Sequence, residues 1–347
     1  MKKLLSLILA TAAIATGFGG CSGASSSSGA AQQASSEDPI TLKLTHSLST
    51  TSQYQAGAEY FKQLVEERSG GAITVEIYPN AQLGAERDTF EGLTLGTVDI
   101  ALGTASVLGQ TFTMDTDVFS LPFLCNDSEE FYALLDSDLA KEIFSGTADH
   151  GAEVLTCYDS GFRQLSNGVR PVNGVADCAG LKIRTPESSM YVDTMEALGI
   201  SPSTLAWSEV FSALQTGVVD GQETPIAVFT SSGLGEVQKH FAFINYMNDP
   251  IAMVASTSFL SKLTEEQQQL IREAAYESAV YEREWLADYE ASCIQENEET
   301  FGVAFTYPDT AEFQERVTGV YESYGNQELL AQVQEFLASA RGAEETT

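Results

Sequence analysis

The sequence predicts an α/β protein of two similar lobes joined by crossing segments, with one long helix running along both. Three observations carry this reading. Stretches of strand and helix period alternate from about residue 40 onward, which points to a parallel sheet with helices on its faces. A local pattern then recurs, because Phe90, Leu93, Gly96, Val98 and Asp99 align with Phe211, Leu214, Gly217, Val219 and Asp220. Finally, a helical run opens at Thr264 and meets no Gly or Pro before Gly302.

In order along the chain, Ile40, Leu42 and Leu44 alternate as a first strand. Ser52 opens a helix with Ala58, Phe61, Leu64 and Val65 on one face, and Gly70-Gly71 stops it,. Ile73, Val75 and Ile77 form the next strand, ended by Pro79-Asn80; a helix over 86–95 and a strand over 98–102 follow. After about Tyr158 a second set begins with a strand over 181–184 and a helix over 189–198 closed by Gly199. Ser208 is placed to cap a helix over 209–216, and Val218-Val219-Asp220 reads as a strand. Thr264-Glu265-Glu266-Gln267 is a capping-box pattern. At ~1.5 Å per residue the run it opens extends for roughly 50 Å, more than one small lobe is wide. A strand over 303–306 and helices near 311–324 and 328–340 complete the chain. Two such lobes leave a cleft between them, a preferred place for small ligands.

The 347 residues open with Lys2 and Lys3, an apolar run from Leu4 to Ile14, and Phe18-Gly19-Gly20 before Cys21. That is a cleaved leader, and small residues directly before a Cys resemble the lipobox of bacterial lipoproteins. The reading is a leader over 1–20, lipidation at Cys21, and a Ser-rich tether over 21–37 too poor in large apolar residues to build a core. It places the folded body outside the cytoplasm, beside a membrane. No later run is long and apolar enough to span one.

The formal net charge of −32 argues against nucleic acid and anionic lipid as partners. Cys125, Cys157, Cys178 and Cys293 fit no zinc spacing. They can pair in three ways or stay free, and their apolar or helical settings favour buried free thiols. The common catalytic motifs are absent, and the three histidines, His46, His150 and His240, are scattered,. Asp115/Asp117 and the acidic run over 296–299 lack calcium-loop spacing and read as solvated faces. No catalytic residue, metal or cofactor is expected.

One short strand stands out. In "LKIRTPE" (181–187) a period of two puts Leu181, Ile183 and Thr185 on one face, and Lys182 and Arg184 on the other,. Composition alone would pair Arg184 with one of the 49 acidic residues. Its surroundings say more. "IYPNAQLGAERDTFEGL" (77–93), "GFRQLSN" (161–167) and the block from Leu181 through "AWSEV" to "GQETP" at 225 closely resemble the solute-binding proteins of tripartite ATP-independent (TRAP) transporters, the DctP-type family. The likeness covers nearly all of the chain after the tether.

The resemblance implies a periplasmic-binding-protein-like (Venus flytrap) fold. It implies a receptor, not an enzyme, that captures a small organic acid between its lobes and delivers it to an ion-gradient-driven permease. By position, Arg184 would form a bidentate salt bridge with the ligand carboxylate, for which a guanidinium fork is suited. Arg163 would add a second polar contact and Trp207 would line the cleft. Thr224 stands where the family usually has an Asn, so a single hydroxyl replaces an amide donor and acceptor. His46 and Thr104 fall at first-lobe contact positions. Arg87 and Arg170 read as surface ion pairs. The expected division is lobe I over 38–160 with 250–285, and lobe II over 161–249 with 286–347, in a monomer. The ligand expected is a hexuronate or related sugar acid, with a C4-dicarboxylate as the alternative. A secreted lipoprotein enzyme acting on an anionic sugar is the alternative of a different class. The negative net charge is compatible with an anionic ligand, because distant charges are screened beyond ~8 Å and local arginines are not.

Overall fold

A computed structural model describes residues 39–344; the leader, Cys21 and the tether lie outside the described residues. Among the described residues, eleven strands form two sheets. They are β1 (Ile40–Thr45), β2 (Ile73–Tyr78), β3 (Ile100–Thr104), β4 (Ala152–Tyr158), β5 (Arg163–Asn167), β6 (Lys182–Thr185), β7 (Ser201–Thr204), β8 (Gly221–Thr224), β9 (His240–Met247), β10 (Ile251–Ser256) and β11 (Ala304–Thr306). The first sheet runs β2-β1-β3-β10-β4 and the second β11-β9-β5-β8-β6-β7. In the first, β1 is parallel to β2 and β3, while β10 is antiparallel to β3 and β4. In the second, β6 is parallel to β7 and β8, and β5 is antiparallel to β8 and β9. The chain therefore crosses between lobes after β4, returns after β9, and crosses again along the long helix.

The expected alternation holds, with local shifts. Ser52 accepts from the Gln55 N–H and opens helix Gln53–Arg68, whose Tyr54, Ala58, Phe61, Leu64 and Val65 are buried. The 86–95 helix forms as Glu86–Leu95 and stops at Gly96 in the left-handed region, φ 71°. The next strand begins at Ile100 rather than Val98, which is buried in the turn before it. The helix expected from Ser208 begins at Trp207 with no side-chain cap, so Ser208 lies inside it. Val218-Val219-Asp220 is not a strand: Val218 is exposed in the turn, and pairing begins at Gly221. The 311–324 helix is divided into Ala311–Arg316 and Thr318–Ser323.

Thr264 and Gln267 complete the capping box of the long helix Glu265–Phe301, and Gly302 ends it at φ 67°. Its N-terminal half packs on helix Gln53–Arg68 and β4. Its C-terminal half packs on helix Ile226–Ser231, where buried Asn297 donates to Thr230 Oγ1 at 2.7 Å. The last helix, Gln327–Glu344, turns back onto helix Ser128–Leu135 of the first-lobe segment, with Arg341 bidentate to Glu130. Cys125, Cys157, Cys178 and Cys293 are buried free thiols. Arg87 pairs with Glu187 at 3.7 Å across the mouth of the cleft. Arg170 differs from its expectation: it donates to the backbone carbonyls of Asp177 and Ala179 instead of a carboxylate. Among the described residues no helix is long and apolar enough to cross a membrane.

Candidate functional site

Sheet topology collects the site at one end of both sheets. Arg184 lies near the C-terminal end of β6 and Thr224 ends the neighbouring parallel strand β8. Arg163 begins the antiparallel β5, whose Gln164 pairs with Thr224. From the first lobe, Thr104 ends β3 and Glu86 begins the helix Glu86–Leu95. These residues, with Ser47, Tyr54 and Trp207, line a narrow cavity of about 50 Å³ between the lobes. Arg163, Arg184, Thr104 and Thr224 are all buried in its walls.

Arg184 is not on an open strand face, as simple alternation would have it. It is only 3% exposed, because Trp207 covers its outer side with the ring centroid 5.5 Å from Cζ, a cation–π arrangement. Nε and Nη2 both donate to the Leu205 carbonyl, at 2.8 and 2.6 Å. Among the described residues Arg184 has no ion-pair partner. Burial lowers its affinity for the proton to a pKa of about 10, with Glu223 and Glu86 opposing and Arg163 adding to the fall. It stays a cation at neutral pH.

Arg163 has a different setting. Its Nε and Nη2 grip both carboxylate oxygens of Glu223, at 2.5 and 3.0 Å, and Nη2 also donates to the Glu223 carbonyl at 2.9 Å. Tyr246 donates to the same carboxylate, and the Tyr191 ring lies 5.0 Å from Cζ. Burial alone would weaken the protonated form, but the Glu223 charge prevails and holds the guanidinium well above its ordinary range.

Opposite Arg184 stands Glu86, which was not singled out as a site residue from sequence. Thr104 donates to its Oε2 from both N–H and Oγ1, at 3.2 and 3.0 Å, and Ser47 donates to Oε1 at 3.2 Å. Burial raises the Glu86 pKa, against those Thr104 bonds and the Arg184 charge. A carboxylate at the first turn of a helix usually reads as a dipole-stabilising surface acid, which hid its inward position. Thr104 thus reaches the cavity as the clamp of Glu86. The Thr224 hydroxyl makes no hydrogen bond among the described residues. His46 does not line the cavity. It is buried, bonded through Nε2 to Gln55 at 2.9 Å, and edge-on to Tyr54 with ring centroids 6.2 Å apart. Burial depresses its pKa to about 4, against its hydrogen bonds, so it is a neutral support for Tyr54.

A larger, open groove of about 600 Å³ lies between helix Asp138–Ser145, β4 and the long helix. Its cation Lys141 is paired with Asp138, and its acids Glu153 and Asp136 are paired with Arg272 and Arg283. It offers no buried unpaired charge to a ligand, whereas the narrow cavity does.

The chain is similar to known proteins over most of its length. The family model for DctP, bacterial extracellular solute-binding protein family 7, matches residues 44–328. The chain is 31% identical over 307 residues to the C4-dicarboxylate-binding periplasmic protein DctP of Rhodobacter capsulatus, covering 88% of this chain and 89% of that one. Among solved structures it resembles a TRAP solute-binding protein of Polaromonas bound to D-erythronate, with TM-score 0.82, 30% identity, and coverage of 85% of this chain and 98% of that one. It also resembles one from Roseobacter denitrificans with bound β-D-glucuronate, with TM-score 0.81, 29% identity, and coverage of 86% and 98%.

Proposed function

Because the chain belongs to family 7 of the bacterial extracellular solute-binding proteins, the DctP family, we propose that it is the receptor of a TRAP transporter for a sugar acid of the hexuronate type. In this reading it works outside the cytoplasm, lipid-anchored through Cys21 and monomeric. It hands its ligand to the permease subunits of an ion-gradient-driven carrier and performs no chemistry on it. The lobes are taken as 38–160 with 250–285, and 161–249 with 286–347. Strand membership of the two sheets supports that division, while the packing of Gln327–Glu344 on helix Ser128–Leu135 ties the C-terminus back to the first lobe.

One observation carries the ligand class: Arg184 is a buried cation with no ion-pair partner among the described residues. A ligand carboxylate would complete it through the outer edge of a fork already held by Leu205. Glu86 would then accept from ligand hydroxyls, and Trp207 would cover the carbon skeleton. Arg163 and Thr224 would add polar contacts, Thr104 would act through Glu86, and His46 through Tyr54. Charge bookkeeping favours one carboxylate over two, since Arg163 is already matched by Glu223 and Glu86 adds a negative wall. A second carboxylate there would be repelled. The C4-dicarboxylate reading takes Arg163 as a second anchor and has the Rhodobacter relative in its favour, but it would require Arg163 to leave Glu223. The cavity is narrow, and in this reading a sugar acid would enter as the lobes part.

A thermal-shift series tests the choice. D-Glucuronate or D-galacturonate should raise the melting temperature, with about 2.7 kcal/mol of stabilisation at a hundred times Kd, while succinate and malate should not. Stabilisation by succinate or malate alone would overturn the sugar-acid reading, and no response to either class would remove both. Recovery of the sugar acid unchanged after long incubation is expected; steady product formation would instead support an enzyme.

A further inference from the structure

We propose that closure of the two lobes takes up a proton at a carboxyl cluster built around the first crossing segment, formed by Asp159, Glu282 and Glu290, so that acid favours the closed receptor. The proposal depends on the two-lobed fold and not on the identity of the ligand.

The crossing from β4 to β5 spans only residues 159–162, and Gly161 within it takes φ 86°. A β-carbon at Gly161 would collide with the Glu290 carboxylate, and would stand 3.3 Å from Pro225 of the second lobe. Glu290, on the long helix, is therefore lodged in the angle between the crossing and that lobe. Any rotation about Gly161 changes what surrounds it. Among the described residues the Glu290 carboxylate has no hydrogen bond and no ion pair.

Glu282, two turns earlier on the helix, is fully buried. Its Oε2 accepts from the Asp159 N–H at 3.0 Å, and its Oε1 has no partner. Asp159 uses both oxygens, accepting from Tyr132 at 2.8 Å and from the Gly161 N–H at 2.7 Å. Three carboxyls thus meet at the crossing: Asp159 and Glu282 are buried, Glu290 is half-buried at its edge, and one Glu282 oxygen lacks the donor that a buried carboxylate needs,.

The other ionisable groups nearby do not offset this. From the long helix, the Arg283 charge reaches Glu282, but Arg283 is bidentate to Asp136 beyond helix Ser128–Leu135. Tyr54, on helix Gln53–Arg68, is buried and stays neutral, its hydroxyl pushed well up by burial with the Glu86 and Glu282 charges adding. Tyr158 at the end of β4 bonds Ser278 at 2.8 Å. The Cys157 and Cys293 thiols are pushed up by burial, to about 12 and about 11, and stay neutral. Burial, with the Asp159 charge adding, raises Glu290 to about 8, and the same causes hold Glu282 well above the carboxylate range.

The sign follows directly. A carboxyl held high in the closed form and returned towards its ordinary value of about 4.3 on opening favours closure below that value. The advantage is lost as pH rises through about 8, where Glu290 ionises even when shut in. For one proton, the closed-to-open ratio should fall about tenfold per pH unit between those limits.

Small-angle scattering of the ligand-free full chain from pH 5.5 to 8.5 reads this without any ligand. The expected result is a larger radius of gyration at high pH. Glu290→Gln, neutral at every pH, should stay compact throughout, and Glu282→Gln, measured alongside, should flatten the profile in the same sense. Loss of the pH slope in either variant supports the proposal. A flat wild-type profile, or a slope preserved in both variants, overturns it.

Discussion

Arg163 and Arg184 occupy adjoining regions of one sheet, both shut away from solvent, yet the protein supplies a carboxylate to the first and only a carbonyl and an indole to the second. Around Arg163 the lobe is electrostatically finished: Glu223, Tyr246 and Tyr191 close on it whatever the cleft contains. Around Arg184 it is unfinished: no carboxylate pairs with it among the described residues, and in the proposed function the ligand would supply one. An arginine in a binding pocket is therefore not by itself a ligand anchor, and its existing partners decide its role.

Glu223→Gln should break this contrast most severely. Removing one partner of a buried ion pair typically costs about 3–5 kcal/mol, so urea denaturation at neutral pH should show a loss of that order. Unchanged stability would mean that Arg163 is not held by this pair. Arg184→Ala should do the reverse. It should leave the midpoint of denaturation near wild type, or raise it by removing a desolvated cation, and weaken D-glucuronate binding by about 2–5 kcal/mol. Retained affinity by calorimetry would remove Arg184 as the anchor.

Glu86→Gln sharpens the comparison from the opposite wall. It should weaken D-glucuronate by about 1–3 kcal/mol and improve binding of succinate relative to it, since the repelling charge is gone. Equal losses for both acids would show that Glu86 does not discriminate by charge. Thr224→Asn should have the smallest effect, shifting preference among sugar acids by about 1 kcal/mol without changing stability. Identical relative affinities in a competition assay would exclude Thr224 from specificity.

Much of this architecture can be read from local signals because the signals are local in origin. Ser52, the Thr264 box, Gly96 and Gly302 act within a few residues of themselves, and each ends or begins a helix where expected. What needs a distant partner is hidden. The Arg163–Glu223 pair joins residues 60 apart in sequence. Arg184 alternates as an outward residue and becomes buried only because Trp207 and the first lobe cover it. Glu86 has the address of a surface helix cap and the environment of a pocket. His46 occupies a family contact position but supports Tyr54 from behind the wall.

The long helix Glu265–Phe301 has a mechanical consequence. It is packed against the first lobe over its N-terminal half and the second over its C-terminal half, and Gly302 turns it directly into β11 at the edge of the second sheet. With no Gly or Pro along its length, it is a beam clamped at both ends with no joint of its own. Rotation at the thin crossings must then appear in the beam as curvature or as slip along one of its seats. Elastic resistance in this one element would set how readily an empty receptor springs open again.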